Sequence, residues 1–423
     1  VKVTQINGQG RYDRIVKMIE DSEKLKSSLE SKASNLADKL VPFSLFGTIL
    51  TYAITRNVTK ALSILMVDYS CALKLTMPVA VLSAINECSN YDATVKGGKY
   101  LEALSKANVI VFDKTGTLTN AQPKVADVST FNGSDKTEML RLAACLEEHF
   151  PHSVANAVVN EAKARGLDHA EQHSKVEYIV AHGISSLVDN EKVVIGYHFV
   201  FEDEKCTVAE NETEKFNTIP NEYSHLYMAI NRKLVAVICI EDPIKANVKQ
   251  PLDNLRKCGI DKIVMMTGDS ERTAAAIAKR VGVDEYYAEV LPEDKAKFVE
   301  KEKAMGRKVV MIGDGINDSL ALSSADVGIA ISDGAEIARE IADVTIAADD
   351  LREVVTLKKL SNQLMKRIHQ NYRLIVGFNA GLIALGVGGI IPPTTSALLH
   401  NTSTIAISLR SMGNLLEDNE ETI

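Results

Sequence analysis

The sequence predicts an α/β fold with a doubly wound parallel sheet of the Rossmann type, an inserted α+β domain and additional transmembrane α-helices. Three apolar, β-branched runs each end in small and acidic residues, and helical patterns separate the last two of them, which predicts the sheet. Long apolar segments flank this region on both sides, which predicts the membrane part. With 423 residues, the chain also exceeds a single hydrophobic core.

The first apolar run, VIVFDKTGTLT at 109–119, carries Asp113 at the end of a predicted buried strand. Open α/β sheets bind ligands outside the carboxyl ends of their strands, so this carboxylate is placed for covalent chemistry. A strand that simply ends in an N-capping aspartate is the alternative for Asp113 taken alone.

The second and third runs are KIVMMTGD at 262–269 and KVVMIGDGIND at 308–318. Helical patterns follow at 271–281 and 292–305, and further short strands at 326–331 and 343–347. Because the carboxyl ends of parallel strands meet at one sheet edge, we expect a single site there. Its predicted members are Asp113, Thr267, Asp269, Asp314, Asn317 and Asp318.

Several carboxylates at one edge repel each other unless a cation lies between them, and hard oxygen ligands beside a phosphate suit Mg²⁺. Asp314 is our first candidate for a metal ligand beside Asp113. Lys295, in the LPEDK stretch that opens a helix, is a candidate for phosphoryl contact, with a solvated helix lysine as the alternative. Glycines at the strand ends, where phosphate oxygens would approach backbone N–H groups, could equally serve turns; they are Gly268, Gly313 and Gly315.

Three blocks in this order, DKTGTLT (113–119), TGD (267–269) and GDGINDSLAL (313–322), resemble the motifs of the P-type ATPases, and we place the chain near their heavy-metal branch. These ion pumps pass through an aspartyl-phosphate. The resemblance implies a haloacid-dehalogenase-like phosphorylation domain, ATP and Mg²⁺ as cofactors, and the following roles. The catalytic set is Asp113, Lys295, Thr267 and Asp318; the cofactor contacts include Thr115, Gly268 and Asn317; the Mg²⁺ ligands are Asp113, Asp314 and Thr115.

Thr115 distinguishes two classes of enzyme. Soluble phosphatases of the haloacid dehalogenase type carry a second aspartate two residues after the nucleophile, and it works as a general acid and base. A threonine there predicts a long-lived aspartyl-phosphate, which a machine needs if it changes conformation before hydrolysis.

The segment 121–236 is long enough for an inserted domain, with two predicted helices and a hairpin of alternating strands. It resembles the nucleotide-binding domain of heavy-metal pumps, in which a His-Pro pair and a GxG turn hold adenosine. Both motifs are altered here, because Ser153 follows the histidine and Ala-His-Gly occupies 181–183. The candidates for ATP contact are Glu147, His152, Gly183 and Gly196, and helix-surface and hairpin-turn roles are the alternative.

Four segments, at 36–55, 58–85, 374–391 and 394–409, are candidates for two membrane hairpins in a lipid bilayer. The rival interpretation is buried core helices of a soluble protein. Basic residues flank the large insert, which predicts a multi-pass cell-membrane protein with cytoplasmic catalytic domains. These residues are Lys96, Lys99, Lys358, Lys359, Lys366, Arg367 and Arg373.

Ionisable and soft side chains in membrane helices are costly and therefore candidates for an ion pathway. Cys71, His400 and Asn401 are the predicted ligands of a transported metal, and this mixture suits Mn²⁺, Zn²⁺, Fe²⁺ or Co²⁺ better than Cu⁺. The Cys-Pro pair of the family is replaced here by Ser70-Cys71-Ala72, which weakens an assignment to copper, silver or cadmium. Hydrogen bonding between helices is the alternative role.

From the resemblance we expect a fragment that lacks the N-terminal membrane helices. The expected domains are an actuator-domain tail and linker (1–30), a membrane helix pair (31–92), the phosphorylation domain (93–120 and 237–350), the nucleotide-binding domain (121–236) and a second membrane pair (351–423). A net charge of −8 without a basic, aromatic-rich run argues against nucleic-acid binding. ATP-driven transport of a divalent transition metal is the predicted function; the alternatives are a degenerate regulatory membrane protein and a phosphatase.

Overall fold

The computed structural model describes residues 28–67, 69–120, 122–149, 153–167, 177–179, 183–196, 204–220, 222–313, 318–331, 340–347 and 350–416. Four residues of the predicted site lie outside the described residues, and so does most of the predicted 1–30 tail. The four site residues are His152, Asp314, Gly315 and Asn317.

The described strands, in chain order, are β1 (Ala93–Val95), β2 (Val109–Asp113), β3 (Lys124–Thr130), β4 (Glu177–Ile179), β5 (Gly183–Val188), β6 (Glu191–Gly196), β7 (Ser224–Ile230), β8 (Lys233–Glu241), β9 (Lys262–Met266), β10 (Glu285–Tyr287), β11 (Val309–Gly313), β12 (Val327–Ile331) and β13 (Val344–Ile346). The described α-helices are α1 (Ser28–Thr55), α2 (Val58–Leu65), α3 (Tyr69–Ser89), α4 (Gly98–Lys106), α5 (Lys136–Glu147), α6 (Ser153–Ala164), α7 (Thr213–Asn217), α8 (Lys249–Lys257), α9 (Glu271–Val281), α10 (Pro292–Ala304), α11 (Ser319–Ser324), α12 (Leu351–Val387) and α13 (Pro393–Ser411).

A seven-stranded sheet in the order β1-β13-β12-β11-β2-β9-β10 forms the α/β domain. All its neighbouring strands are parallel except β1, which runs antiparallel to β13. The strands β2, β11 and β12 are buried over their whole length, as continuous apolar runs require. The predicted fold class is therefore confirmed, and β2 occupies the middle of the sheet.

The insertion forms its own antiparallel sheet, in the order β3-β8-β7-β6-β5-β4. The helices α5 and α6 pack their apolar sides against one face of this sheet in a separate hydrophobic core. Strand β8 continues this sheet as far as Glu241, a few residues past the expected boundary at 236, before the chain returns to the larger sheet.

The helices α1 to α3 precede the first strand. The sequence predicts one segment over 58–85 that is interrupted by Asp68, Lys74 and Pro78. The described chain leaves the helical conformation after Leu65 and resumes it at Tyr69, and the helix then continues through Lys74 and Pro78. Asn57 caps α2, because its side chain accepts a hydrogen bond from the Lys60 backbone N–H. Cys71 consequently lies in the first turn of the second half of this broken segment.

The last two helices form a hairpin. α12 has 37 residues, a length of about 55 Å at 1.5 Å per residue. It therefore begins 23 residues before the predicted segment at 374–391, and its first part lies against the α/β domain. The largest hydrophobic core runs without interruption from α3 through α4 and the sheet to α12, through residues such as Leu73, Leu104, Ile110 and Leu360.

Four membrane segments are expected from the sequence, whereas one stretch of helix among the described residues, Cys71–Ser89, is both long and apolar enough to cross a membrane. Half of that stretch is buried within the chain, as core helices of soluble proteins also are. Helix α13 contains the polar run HNTST at 400–404 between its apolar positions. The four-segment arrangement stays a prediction.

Candidate active site

Asp113 lies at the carboxyl end of β2, between β11 and β9. It is 7% exposed, and the rest of the strand is buried. The chain then turns at Gly116, whose φ of +73° is a conformation that glycine adopts without steric cost. Thr115, the residue that distinguishes the two enzyme classes, lies half-buried in this turn.

The Lys295 ammonium joins two of the predicted catalytic carboxylates. Its Nζ lies 2.6 Å from Asp113 Oδ1 and 2.7 Å from Asp318 Oδ1. Burial disfavours the charged amine, but the two carboxylates outweigh this effect and raise the pKa of Lys295 above its usual range. Lys295 is 6% exposed, so it is not a solvated helix lysine.

The two glycines at this edge, Gly313 and Gly268, differ in the space available for a side chain. A Cβ on Gly313 would lie 2.5 Å from Asp318 Oδ2, so only glycine lets the Asp318 carboxylate approach the end of β11. At Gly268 the nearest atom to an added Cβ is the Val290 carbonyl oxygen, at 4.0 Å. Gly313 is therefore required by packing inside the protein, whereas Gly268 has open space beside it.

Lys114 is a site residue that sequence reasoning missed, although it directly follows Asp113. Its Nζ lies 2.6 Å from Asp269 Oδ2 and 3.9 Å from Asp242 Oδ2, and it is 4% exposed. Burial opposes the charge of Lys114, but the Asp269 carboxylate outweighs burial and raises its pKa. Burial alone would raise the pKa of the Asp269 carboxyl. The charge and hydrogen bond of Lys114 outweigh burial, so the pKa of Asp269 is lowered. Thr267 donates to Asp269 Oδ2 across 3.0 Å.

Asp242, which directly follows β8, makes a specific contact with the loop after Asp113. Thr119 Oγ1 donates to Asp242 Oδ2 across 2.6 Å, and Lys245 Nζ donates to the Gly116 carbonyl across 3.3 Å. Burial raises the pKa of Asp242 despite the Thr119 hydrogen bond. The segment returning from the insertion is thus fastened to the loop that follows Asp113.

A further contact links the two domains directly. Ser224, the first residue of β7 in the insertion, donates through its hydroxyl to Asp269 Oδ1 across 2.9 Å. Thr273 on α9 donates to the Tyr223 carbonyl across 2.9 Å. The carboxylate of Asp269 therefore connects Lys114, Thr267 and strand β7 of the insertion, and its position depends on both sheets.

The carboxylates of the site are hard oxygen donors of the kind that Mg²⁺ prefers, although no three of the described ones form a metal site by themselves. Among the described residues, Asp113 and Asp318 share Lys295, while Asp242 and Asp269 share Lys114. Even with the nearby Lys245 ammonium, four carboxylates against three ammonium groups leave excess negative charge, and Asp242 Oδ1 is buried with no described hydrogen-bond partner. Hard oxygen donors with excess negative charge suit a divalent cation bound together with a phosphate.

The predicted ATP contacts in the insertion are only partly described. Glu147 is 3% exposed on α5, so it is not a helix-surface residue. Gly183 and Gly196 pair directly across β5 and β6, and a Cβ on Gly183 would lie 2.3 Å from the Ile195 carbonyl oxygen. Close strand packing therefore explains why Gly183 is glycine.

The predicted metal ligands of the membrane segments differ in their exposure. Cys71 on α3 and Asn401 on α13 are exposed, whereas His400 is 3% exposed. The His400 ring lies beside a residue that sequence reasoning missed, with Nδ1 3.1 Å from Asn379 Oδ1 on α12. Within the described ranges, no group of three His, Cys, Asp or Glu side chains could hold a metal ion.

Residues 107–326 match the family model of the haloacid dehalogenase-like hydrolases. The chain is 32% identical over 409 residues to a zinc-exporting P-type ATPase of Mycobacterium marinum, covering 96% of this chain and 56% of that protein. It is also 32% identical to a manganese-exporting P-type ATPase of Mycobacterium tuberculosis (96% and 57% covered) and to a copper-exporting P-type ATPase of Staphylococcus epidermidis (97% and 52% covered). The chain thus spans about half the length of the curated relatives it matches.

Solved structures show the same similarity. A crystal structure of a zinc-transporting PIB-type ATPase in its E2.Pi state aligns with a TM-score of 0.68 at 28% identity, covering 98% of this chain and 69% of that one. A structure of the catalytic domain of the CPx-ATPase CopB-B aligns with a TM-score of 0.50 at 28% identity, covering 66% of this chain and 98% of that one. The first alignment includes the helices on either side of the α/β domain as well as the domain itself, because it covers nearly the whole chain.

Proposed function

Because the chain belongs to the heavy-metal branch of the P-type ATPases, within the haloacid dehalogenase-like fold, we propose that it uses ATP to move a divalent transition-metal ion across a membrane through a phosphorylated Asp113. The observation that carries this proposal is the buried contact of Lys295 with both Asp113 and Asp318 at the centre of the sheet. An isolated strand-end aspartate needs no such partner.

In the proposed reaction, an oxygen of Asp113 attacks the γ-phosphorus of ATP in line with the leaving group. The new bond joins phosphorus to Asp113 and the bond to ADP breaks, so ADP leaves with the electron pair. Lys295 and Thr267 offset negative charge that develops on the phosphoryl oxygens. Asp113, Asp314 and Thr115 would hold Mg²⁺, which would supply further positive charge at the phosphoryl oxygens.

Hydrolysis of the phosphoenzyme would be slow without an added catalytic group, because Thr115 has no carboxylate to activate water. A transport cycle needs a phosphoenzyme that hydrolyses slowly, whereas a phosphatase needs one that hydrolyses quickly. We assign ATP contact to the insertion through Glu147, His152, Gly183 and Gly196, with Gly268 and Asn317 near the phosphates; close packing of Gly183 makes its role indirect.

For the transported ion we propose a site that includes His400 and Asn379. Nδ1 of His400 faces Asn379 Oδ1, and this contact orients the ring between α12 and α13. Cys71 lies at the break between α2 and α3, and broken helices commonly line ion sites in membrane transporters. Asn401, which is exposed as Cys71 is, completes the set of candidate ligands. Mn²⁺, Zn²⁺, Fe²⁺ and Co²⁺ match these ligands.

We further propose that the segments at 36–55, 58–85, 374–391 and 394–409 cross the cell membrane, with the catalytic domains in the cytoplasm.

A metal titration of ATP hydrolysis tests the function on the full-length protein. We expect one or more of the four divalent ions to stimulate hydrolysis, and His400→Ala and Cys71→Ala to abolish that stimulation. Stimulation that is unchanged in both variants would exclude this ion site.

A further inference from the structure

Lys358 is a buried cation that the phosphoryl chemistry does not use. It lies on α12 and is 1% exposed. Its Nζ donates to the backbone carbonyl oxygens of Leu104 (2.8 Å), Ser105 (2.9 Å) and Ala107 (3.1 Å). An ammonium group has three N–H donors, so these three carbonyls satisfy it completely and offset the cost of burying the charge.

These carbonyls form the C-terminal end of α4, which carries the partial negative charge of a helix terminus. One residue later, Asn108 leads into β2. Asn108 Oδ1 accepts from the Lys308 backbone N–H, and the Asn108 carbonyl accepts from Lys262, the first residue of β9. Lys358 therefore holds the start of the strand that ends at Asp113.

Asn362, one helical turn after Lys358, makes a similar contact with the neighbouring element. Its Nδ2 donates to the carbonyl of Cys258, the C-terminal cap of α8, across 3.0 Å. Three residues further on, the Asp261 backbone N–H donates to the Asn108 carbonyl, and β9 begins. α12 is thus attached at the starts of two adjacent strands, β2 and β9.

The other ends of these two strands carry the chemistry: β2 ends at Asp113, and Thr267 follows β9. α12 itself continues as a single helix past Asn379, which contacts His400. From Lys358 to Asn379 the rise along the helix is about 32 Å. One helix therefore joins the base of the phosphorylation strands to the proposed ion site.

We propose that Lys358 and Asn362 are positioning residues that couple the phosphorylation site to the ion site. They fix α12 to β2 and β9, so that a shift of these strands on phosphorylation moves Asn379 relative to His400. This inference rests on the proposed function of the chain.

The contact should depend on pH. Burial lowers the pKa of Lys358 to about 8, and the charges of Cys258 and Asp261, which face it from the α8 side, offset only part of this effect. On α4, Lys106 pairs with Glu102, and on α12 the neighbouring charge is Lys359. Below pH 8 the Lys358 amine has three donors for three carbonyls; above it, the neutral amine has two, so the attachment weakens as the pH rises.

The test uses the full-length pump in lipid vesicles and two readouts: labelling of Asp113 from ATP, and the ratio of ATP hydrolysis with and without saturating metal. We expect Lys358→Met to lower this ratio about tenfold, since lost hydrogen bonds to a charged group are worth at least that factor. Basal labelling should stay within about twofold of wild type, because the phosphorylation site is remote. Asn362→Ala should lower the ratio less, and Lys366→Met, an exposed lysine on the same helix, should leave it unchanged.

A pH series separates positioning from a merely structural role. The wild-type ratio should fall as the pH rises through about 8, whereas Lys358→Arg, which stays charged, should show no such fall. If the Lys358→Met variant has the same ratio of metal-stimulated to basal ATP hydrolysis as wild type, the inference is overturned. If that variant does not fold, an unchanged ratio in Asn362→Ala together with a flat wild-type pH profile overturns it instead. Failure of the proposed function is distinguishable, because wild type itself would then show neither labelling nor metal stimulation.

Discussion

The Asp242 carboxylate accepts a hydrogen bond from the Thr119 hydroxyl across 2.6 Å, and this contact ties the loop after the nucleophile to the segment that returns from the inserted domain. The two residues are 123 positions apart in sequence. Any motion of the inserted domain relative to the α/β domain therefore acts on the loop that follows Asp113. The same carboxylate is buried beside Asp113 and Asp269, which makes its ionisation unfavourable.

The pH dependence of stability should reveal this buried charge. The pKa of Asp242 is raised above 3.8 in the folded protein, so its contribution to stability is fully present below pH 3.8 and is lost as the pH rises through the folded-state pKa. Asp242→Asn keeps an oxygen for Thr119 but carries no charge. Its free energy of unfolding should therefore exceed that of wild type at neutral pH and approach it at low pH. A difference that does not vary with pH, in denaturant titrations, would contradict this account.

Lys295→Met removes the cation that Asp113 and Asp318 share. Leaving buried carboxylates without their partner costs about 3–5 kcal/mol of unfolding free energy, less if one of them takes up a proton. Labelling of the enzyme by ATP should fall by about 100-fold or more, because a charged group that offsets phosphoryl charge is lost. Thermal unfolding and labelling measure the two effects.

Lys297→Met is the matched control on the same helix. Lys297 is exposed and pairs with the exposed Asp294 across 2.9 Å. Neither stability nor labelling should change measurably in this variant. Equal effects at Lys295 and Lys297 would show that the Lys295 contacts are unimportant.

Gly183→Ala and Gly268→Ala should separate packing from phosphate contact. An added Cβ at Gly183 meets the Ile195 carbonyl oxygen at 2.3 Å, and overpacking of this kind costs about 1–3 kcal/mol. At Gly268 the nearest atom lies at 4.0 Å, so the alanine fits, but it would stand between phosphate oxygens and the backbone. We expect Gly183→Ala to lose stability and Gly268→Ala to keep stability but lose labelling. The reverse pattern would exclude the assigned roles.

Much of this site was predictable because parallel strands place their carboxyl ends at one edge. That rule brought together Asp113, Thr267, Asp269 and Asp318 from three separate motifs, and the position of Lys295 after TGD indicated a site lysine. The pairing of Lys114 with Asp269 was not predictable in the same way. It depends on β9 lying next to β2, a matter of sheet order that periodicity does not reveal.

The membrane-side contacts were less predictable for a related reason. A helical pattern indicates which residues share a face of one helix, but not which helix that face meets or in what register. His400 was a candidate from its residue type, whereas Asn379 became one only when α12 and α13 were seen to pack side by side. The break before Tyr69 and the contacts of Lys358 likewise depend on tertiary packing.

The most direct measurement is acid-stable labelling of the protein by γ-labelled ATP, with the label located in peptides of wild type and of Asp113→Asn. We predict one labelled peptide, containing Asp113, in wild type, and no label in Asp113→Asn even though nucleotide binding persists. Label that survives in Asp113→Asn, or that maps to another carboxylate, would contradict the central claim that Asp113 carries the phosphoryl group.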